Sequence, residues 1–154
     1  AMVGTGITLK VKDWDTTNHP ATQSGASNAF GLQGTLSINS LTINSLTVSS
    51  GQTFTVGDAV AIGWNPNGIT QYDLFYKIGS GSDVKINTSA LTGTTYNFNV
   101  LSGMVGKNLV LKLKDADVNH PPVSTSDSNI FDIKGTIGIT TQPVASAGTI
   151  VTRA

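Results

Sequence analysis

Lys10-Val-Lys-Asp-Trp-Asp-Thr-Thr-Asn-His-Pro20, running on to Asn28-Ala-Phe30 and Gly34-Thr35, returns late in the chain. There it reads Lys112-Leu-Lys-Asp-Ala-Asp-Val-Asn-His-Pro121, then Asn129-Ile-Phe131 and Gly135-Thr136. Met2-Val3-Gly4 likewise matches Met104-Val105-Gly106. Leu9 to Leu111 is a step of 102 and His19 to His120 a step of 101, so one residue is lost between the copies. An internal repeat of this kind fixes the architecture before any single element is read.

Outward from the repeat, the chain alternates. Ile7, Leu9 and Val11 share a phase opposite to Lys10, Lys12 and Trp14, the period of a half-buried strand. A polar loop over 13–25 separates this strand from a second one that begins at Phe30 and Leu32 and reaches about Ile38, so the two pair as a hairpin with a long loop. Residues 39–56 predict an opening strand broken near Ser49-Ser50-Gly51. The echo Asn39-Ser-Leu-Thr-Ile43 and Asn44-Ser-Leu-Thr-Val48 marks a break between two strand pieces. Further strands fall at 59–64, 71–78, 84–86, 95–100 and 107–115, and others follow around Phe131 and Ile137. Asn65-Pro-Asn-Gly68 predicts a turn.

About seven short strands in about 100 residues, with no helical period, predict an all-β fold. The expected form is an immunoglobulin-like antiparallel β-sandwich in tandem repeat. Its core is expected from Val60, Ile62, Trp64, Leu74, Tyr76, Phe98, Leu109, Leu111, Leu113, Phe131 and Ile133. Residues 1–38 then form the C-terminal part of one repeat, 39–138 a complete repeat, and 139–154 the N-terminal strand or strands of a following one. Val144-Ala-Ser-Ala-Gly148-Thr-Ile-Val151 resembles Val48-Ser-Ser-Gly51-Gln-Thr-Phe-Thr55. Half a sandwich cannot bury both faces of its core. Residues 1–38 are therefore expected to borrow strands from the tail or from another molecule.

Ser50-Gly51-Gln-Thr-Phe54-Thr-Val56-Gly57 followed by Ile62-Gly-Trp64, with Ser128-Asn-Ile-Phe131-Asp-Ile133 near the end, resembles a known module. This is the cysteine-free, Ser/Thr-rich immunoglobulin-like repeat of fungal wall-associated and bacterial surface proteins, the Kre9/Knh1-like type. The resemblance covers the central repeat. It implies a spacer, stalk or wall-associated binding unit and brings no catalytic residues. Asn-His-Pro is not part of that pattern.

Composition bounds the partners. Lys+Arg and Asp+Glu number nine each among 154 residues, and charged residues make up 12%. No basic excess exists to attract nucleic acid, and no apolar run approaches the ~20 residues of a membrane helix. There is no Cys, which excludes disulfides, thiolate metal sites and thiol catalysis. A surface made polar by Ser, Thr, Asn and Gly suggests an extracellular, cell-surface or virion setting.

Several positions invite a functional reading. The Asp-x-Asp pairs Asp13/Asp15 and Asp115/Asp117, with Asn18 or Asn119 nearby, offer oxygen ligands to calcium. They equally serve to cap loop N–H groups, the favoured reading, because six or more oxygens are needed and the spaced ligand loop is missing. His19 and His120 each precede Pro, and one His per repeat without Cys is a poor transition-metal set. Trp14 lies on the outward face, and its counterpart is Ala116. It is the contact candidate, toward a neighbouring module, a subunit or a sugar ring. Trp64 is inward by phase and belongs to the core. Asn87-Thr88-Ser89 is a formal glycosylation sequon. No acid, base and nucleophile converge by pattern, so the chain is read as no enzyme. The expected function is a non-catalytic structural or interaction module that assembles through neighbouring repeats or identical subunits, including by strand exchange. The alternative is a carbohydrate-binding accessory module. No cofactor is expected beyond the calcium considered above.

Overall fold

The computed structural model describes residues 3–12, 17, 25–121, 123–125, 127–138 and 140. Asp13, Trp14, Asp15, His19 and the echo at 144–151 lie outside the described residues. Among those described there is no α-helix, only a 3-10 turn at Ser102–Met104, and the rest of the regular structure is β. The strands are β1 (Gly4–Ile7), β2 (Phe30–Leu32), β3 (Thr35–Ile43), β4 (Leu46–Thr47), β5 (Thr53–Thr55), β6 (Ala59–Asn67), β7 (Tyr72–Ile78), β8 (Val84–Lys85), β9 (Thr95–Asn99), β10 (Gly106–Asp115), β11 (Ser124–Thr125) and β12 (Phe131–Lys134).

Two five-stranded sheets, β5-β12-β10-β7-β8 and β11-β3-β6-β9 with β4 paired to β3, share one core, and β1-β2 stand apart as a two-stranded sheet. Most pairings are antiparallel. Two are parallel, β12 with β5 and β11 with β3. The first arises because the chain leaves one sheet after β4 and joins the other at Thr53, entering beside β12 in the same direction.

The core follows the alternation. Val60, Ile62 and Trp64 of β6 face Leu74 and Tyr76 of β7 and Leu109, Leu111 and Leu113 of β10 within one buried cluster. Phe131 and Ile133 complete the expected set. Phe98, also expected inside, is only partly buried. Phe54 meets Phe131 edge-on at 5.9 Å and 79°, and Trp64 meets Tyr72 edge-on at 5.4 Å and 67°. Such perpendicular contacts suit the ring quadrupoles. The Trp64 indole Nε1 is buried with no aligned acceptor, while the nearby Tyr72 hydroxyl donates to the Ile69 carbonyl at 2.6 Å. Leu36, Leu41 and Ile43 also line the core, beyond the set read from periodicity. Their phase is obscured by a register shift between Ile38 and Ser40, where β3 crosses β6.

β3 is continuous through the boundary expected at 38/39. It pairs with β6 from Thr35↔Asn67 to Ile43↔Val60, so the two-sheet body begins at Thr35. Gly34 marks the junction, because a Cβ there would lie 2.7 Å from the Asn67 carbonyl oxygen. The five-residue echo resolves as a tight β3–β4 hairpin. Asn44 and Ser45 both take positive φ (50° and 65°), and Thr42 pairs with Thr47. A two-residue turn with both centres left-handed matches strand twist, and Asn tolerates that conformation. β6 runs through the turn expected at 65–68, and the chain reverses only at Gly68, where φ is 82°.

Candidate interaction surface

The first hairpin is built like the last one. β1 pairs with β2 through Gly4↔Leu32 and Ile7↔Phe30, with a register shift between. β10 pairs with β12 through Gly106↔Ile133 and Leu109↔Phe131, with a register shift at the same place. These are the positions that the sequence repeat equates. The closing hydrogen bonds also recur. Ser27 N–H donates to the Leu9 carbonyl at 2.9 Å, and Leu9 N–H donates to Ser27 Oγ at 2.9 Å. Ser128 N–H donates to the Leu111 carbonyl at 3.0 Å, and Leu111 N–H to Ser128 Oγ at 2.9 Å. Each serine hydroxyl then donates to the next carbonyl, that of Asn28 or Asn129. One sequence pattern thus encodes one hairpin twice.

Burial separates the copies. Leu109 and Leu111 are 0% exposed, Leu113 and Phe131 1%, and Ile133 3%. Their counterparts Leu9 and Val11 are 59% and 72% exposed, and Phe30 and Leu32 are 37% and 36%; Ile7 is partly exposed. In the last hairpin this face packs on Ile43, Ile62 and Trp64 of the other sheet within one cluster. In the first it forms an apolar patch on the surface. Adjacent apolar side chains gathered on one sheet face are the usual mark of a contact surface. Periodicity identified these residues as a strand face made for burial. It carries no signal of what lies against that face, and so it could not single them out as exposed.

The Asp-x-Asp loop after β10 is self-contained. Asp115, with its side chain 7% exposed, accepts the Asp117 N–H at 2.9 Å and faces His120 Nδ1 at 2.6 Å. Asp117 Oδ1 accepts both the Asn119 N–H, at 2.9 Å, and the Asn119 amide, at 3.0 Å. These bonds from Asn119, aided by His120, hold the Asp117 carboxyl below its usual range. The loop frames a hollow of about 370 Å³ between Asp115, Val118, Pro121 and Val123. Among the described residues no group of three His, Cys, Asp or Glu side chains is set to hold a metal ion. The carboxylates are directed to the loop's own N–H groups and to the imidazole, which is capping geometry.

Asn87 is 4% exposed. Its Oδ1 accepts the Leu74 N–H at 2.7 Å, and its Nδ2 donates to Asp73 Oδ1 at 3.0 Å and to the Ser89 carbonyl at 2.8 Å. A glycan on Nδ2 would have to displace those bonds, so in the folded chain the side chain is a buried tie between β7 and the loop after β8.

Compared with known proteins, the chain matches no family model, no curated protein and no solved structure.

Proposed function

We propose that the chain is a segment of a non-catalytic, immunoglobulin-like repeat protein, in which the two-sheet body at 35–134 is one module and β1–β2 is the closing hairpin of its neighbour. The observation that carries this reading is the paired hairpin. Matching residues in the same register, closed by the same serine bonds, are buried in β10–β12 and at least partly exposed in β1–β2. A face selected to be a core interior is stable only when something of the other sheet's chemistry covers it. Its partner is therefore a neighbouring module or an identical subunit. The function is mechanical and associative: spacing, stiffening or self-assembly at a surface, in a wall or in a filament. The sparsely charged, Ser/Thr/Asn-rich exterior suits an extracellular, cell-surface or virion location. The likeness of Ser50–Trp64 and Ser128–Ile133 to Kre9/Knh1-like modules supports the same reading.

Sedimentation across a range of protein concentrations tests it. The wild-type chain should form species larger than a monomer as concentration rises. Leu9→Asp with Phe30→Asp should remain monomeric with the melting of the two-sheet body unchanged, because a carboxylate cannot be buried unpaired in such a contact. A wild-type chain that is monomeric throughout contradicts the reading.

A further inference from the structure

We infer that β9 is a self-pairing edge, along which a second copy adds its own β9 antiparallel, with Asn97 of one copy opposite Asn97 of the other. This contact is separate from the first hairpin and goes beyond the module reading. β9 ends the sheet β11-β3-β6-β9, and among the described residues it pairs with β6 alone. Its register runs without a shift from Ala59↔Asn99 to Gly63↔Thr95. Trp64 N–H donates to the Thr94 carbonyl at 3.0 Å, and Val100 N–H to the Asp58 carbonyl at 2.8 Å. Bonding direction alternates along an antiparallel ladder. Thr94, Tyr96, Phe98 and Val100 therefore turn their backbone groups to β6, and Thr95, Asn97 and Asn99 turn theirs outward. Such a row is a template for another strand, and proteins block it with short edges, Lys, Pro or bulges. The ends at β5, β8 and β11 have three, two and two residues, and β8 carries Lys85. β9 has five residues, with no charge and no Pro. Thr95, Asn97 and Asn99 are exposed. Tyr96 and Phe98 are half-buried and stacked, with centroids 6.0 Å apart and planes at 27°.

The pattern of the strand says that its mate is a second copy, because it is symmetric about Asn97. Antiparallel pairing centred there sets Thr95 opposite Asn99 of the second copy and Tyr96 opposite its Phe98. Outward backbone groups then meet outward backbone groups at positions 95, 97 and 99, and each such pair exchanges both bonds. A primary amide both donates and accepts, so Asn97 is complementary to itself. The Tyr96 and Phe98 rings of the two copies join on one face, where opposed aromatic pairs are favourable. No like charges meet. A slip by one residue would set these outward groups against groups already bonded to β6. The contact is isologous and closes on itself. A five-residue seam is about 17 Å long, a contact of the small, transient class. It gains weight between arrays, where many seams act together. Leu9→Asp with Phe30→Asp removes that multiplication and leaves single copies in sedimentation.

Cysteine pairing traps the seam and reads its register, because the chain contains no Cys. Asn97→Cys chains under mild oxidation should form a disulfide dimer with their own kind. Opposed Cα atoms in a bonded pair lie about 5.5 Å apart, within disulfide reach. Thr95→Cys chains alone should give at least about tenfold less dimer, since the two copies of that position stand about 14 Å apart. Mixed with Asn99→Cys chains, they should cross-link. All three positions are exposed, so each variant should melt as wild type does. Three results would overturn the inference: no Asn97→Cys dimer, a Thr95→Cys dimer of equal yield, or no mixed dimer between Thr95→Cys and Asn99→Cys chains. If wild-type chains associate while Asn97→Cys gives no dimer, the module reading stands and this seam is wrong. If wild-type chains stay monomeric while Asn97→Cys gives the dimer in this register, the seam stands and the module reading falls.

Discussion

At the scale of residues, the same side chain type has opposite fates according to its surroundings. Asn87 sits in a Thr/Ser-rich loop and reads as a surface sequon. Its depth comes from β7, which offers the Leu74 N–H to it, and from Asp73, which takes its amide while also pairing with Lys85 at 2.8 Å. None of these partners is adjacent in sequence, so the tie was not legible there. Removing it leaves a buried N–H without a partner. Asn87→Ala should therefore lower stability by about 2–3 kcal/mol. The denaturant midpoint should fall with an unchanged slope, and a midpoint equal to wild type would contradict the geometry. Asp115 and His120 were legible as loop residues, and in that loop Asp115 accepts the Asp117 N–H and Asp117 the Asn119 N–H. The counterparts Asp13, Asp15 and His19, like Trp14, lie outside the described residues.

At the scale of elements, β7, β10 and β12 were readable because alternation and burial coincide, as was β6 over 59–64, although its last residues, 65–67, read as a turn. β3 was harder to read, since its bulge at Ile38–Ser40 shifts the phase and Ser and Thr fill the outward positions. Both expected breaks are present, a tight reversal at Asn44-Ser45 and an interruption at Ser49–Gly51 between β4 and β5, and Asn44 also ties its turn to β6 by accepting the Ala59 N–H at 3.0 Å. The β5–β6 turn is held by Asp58, whose Oδ2 accepts the Thr55 N–H at 2.8 Å. That bond first, then the Asn44 amide, with Lys134 adding a smaller attraction, holds the Asp58 carboxyl below its ordinary 3.8. The folded chain then binds this proton less tightly than the unfolded one. The contribution is complete above pH 3.8 and is lost as pH falls through the lower folded value. Melting temperature should drop in that acid window, and Asp58→Asn, which keeps an acceptor but no charge, should show a shallower drop. An identical acid profile for both chains would contradict this account of the turn.

At the scale of the whole molecule, the sequence repeat made the duplicated hairpin legible. The exposure of one copy was not, because Ile7, Leu9, Phe30 and Leu32 have the composition of core residues wherever they stand. What distinguishes them is that, among the described residues, no second sheet packs on their face. The most direct measurement is hydrogen exchange of the β1–β2 amides, with those of β10–β12 as internal reference, over a roughly hundredfold range of protein concentration. Protection at Gly4–Ile7 and Phe30–Leu32 should rise with concentration while that of β10–β12 stays constant. Protection of the first hairpin that is independent of concentration would contradict the claim that another copy covers it.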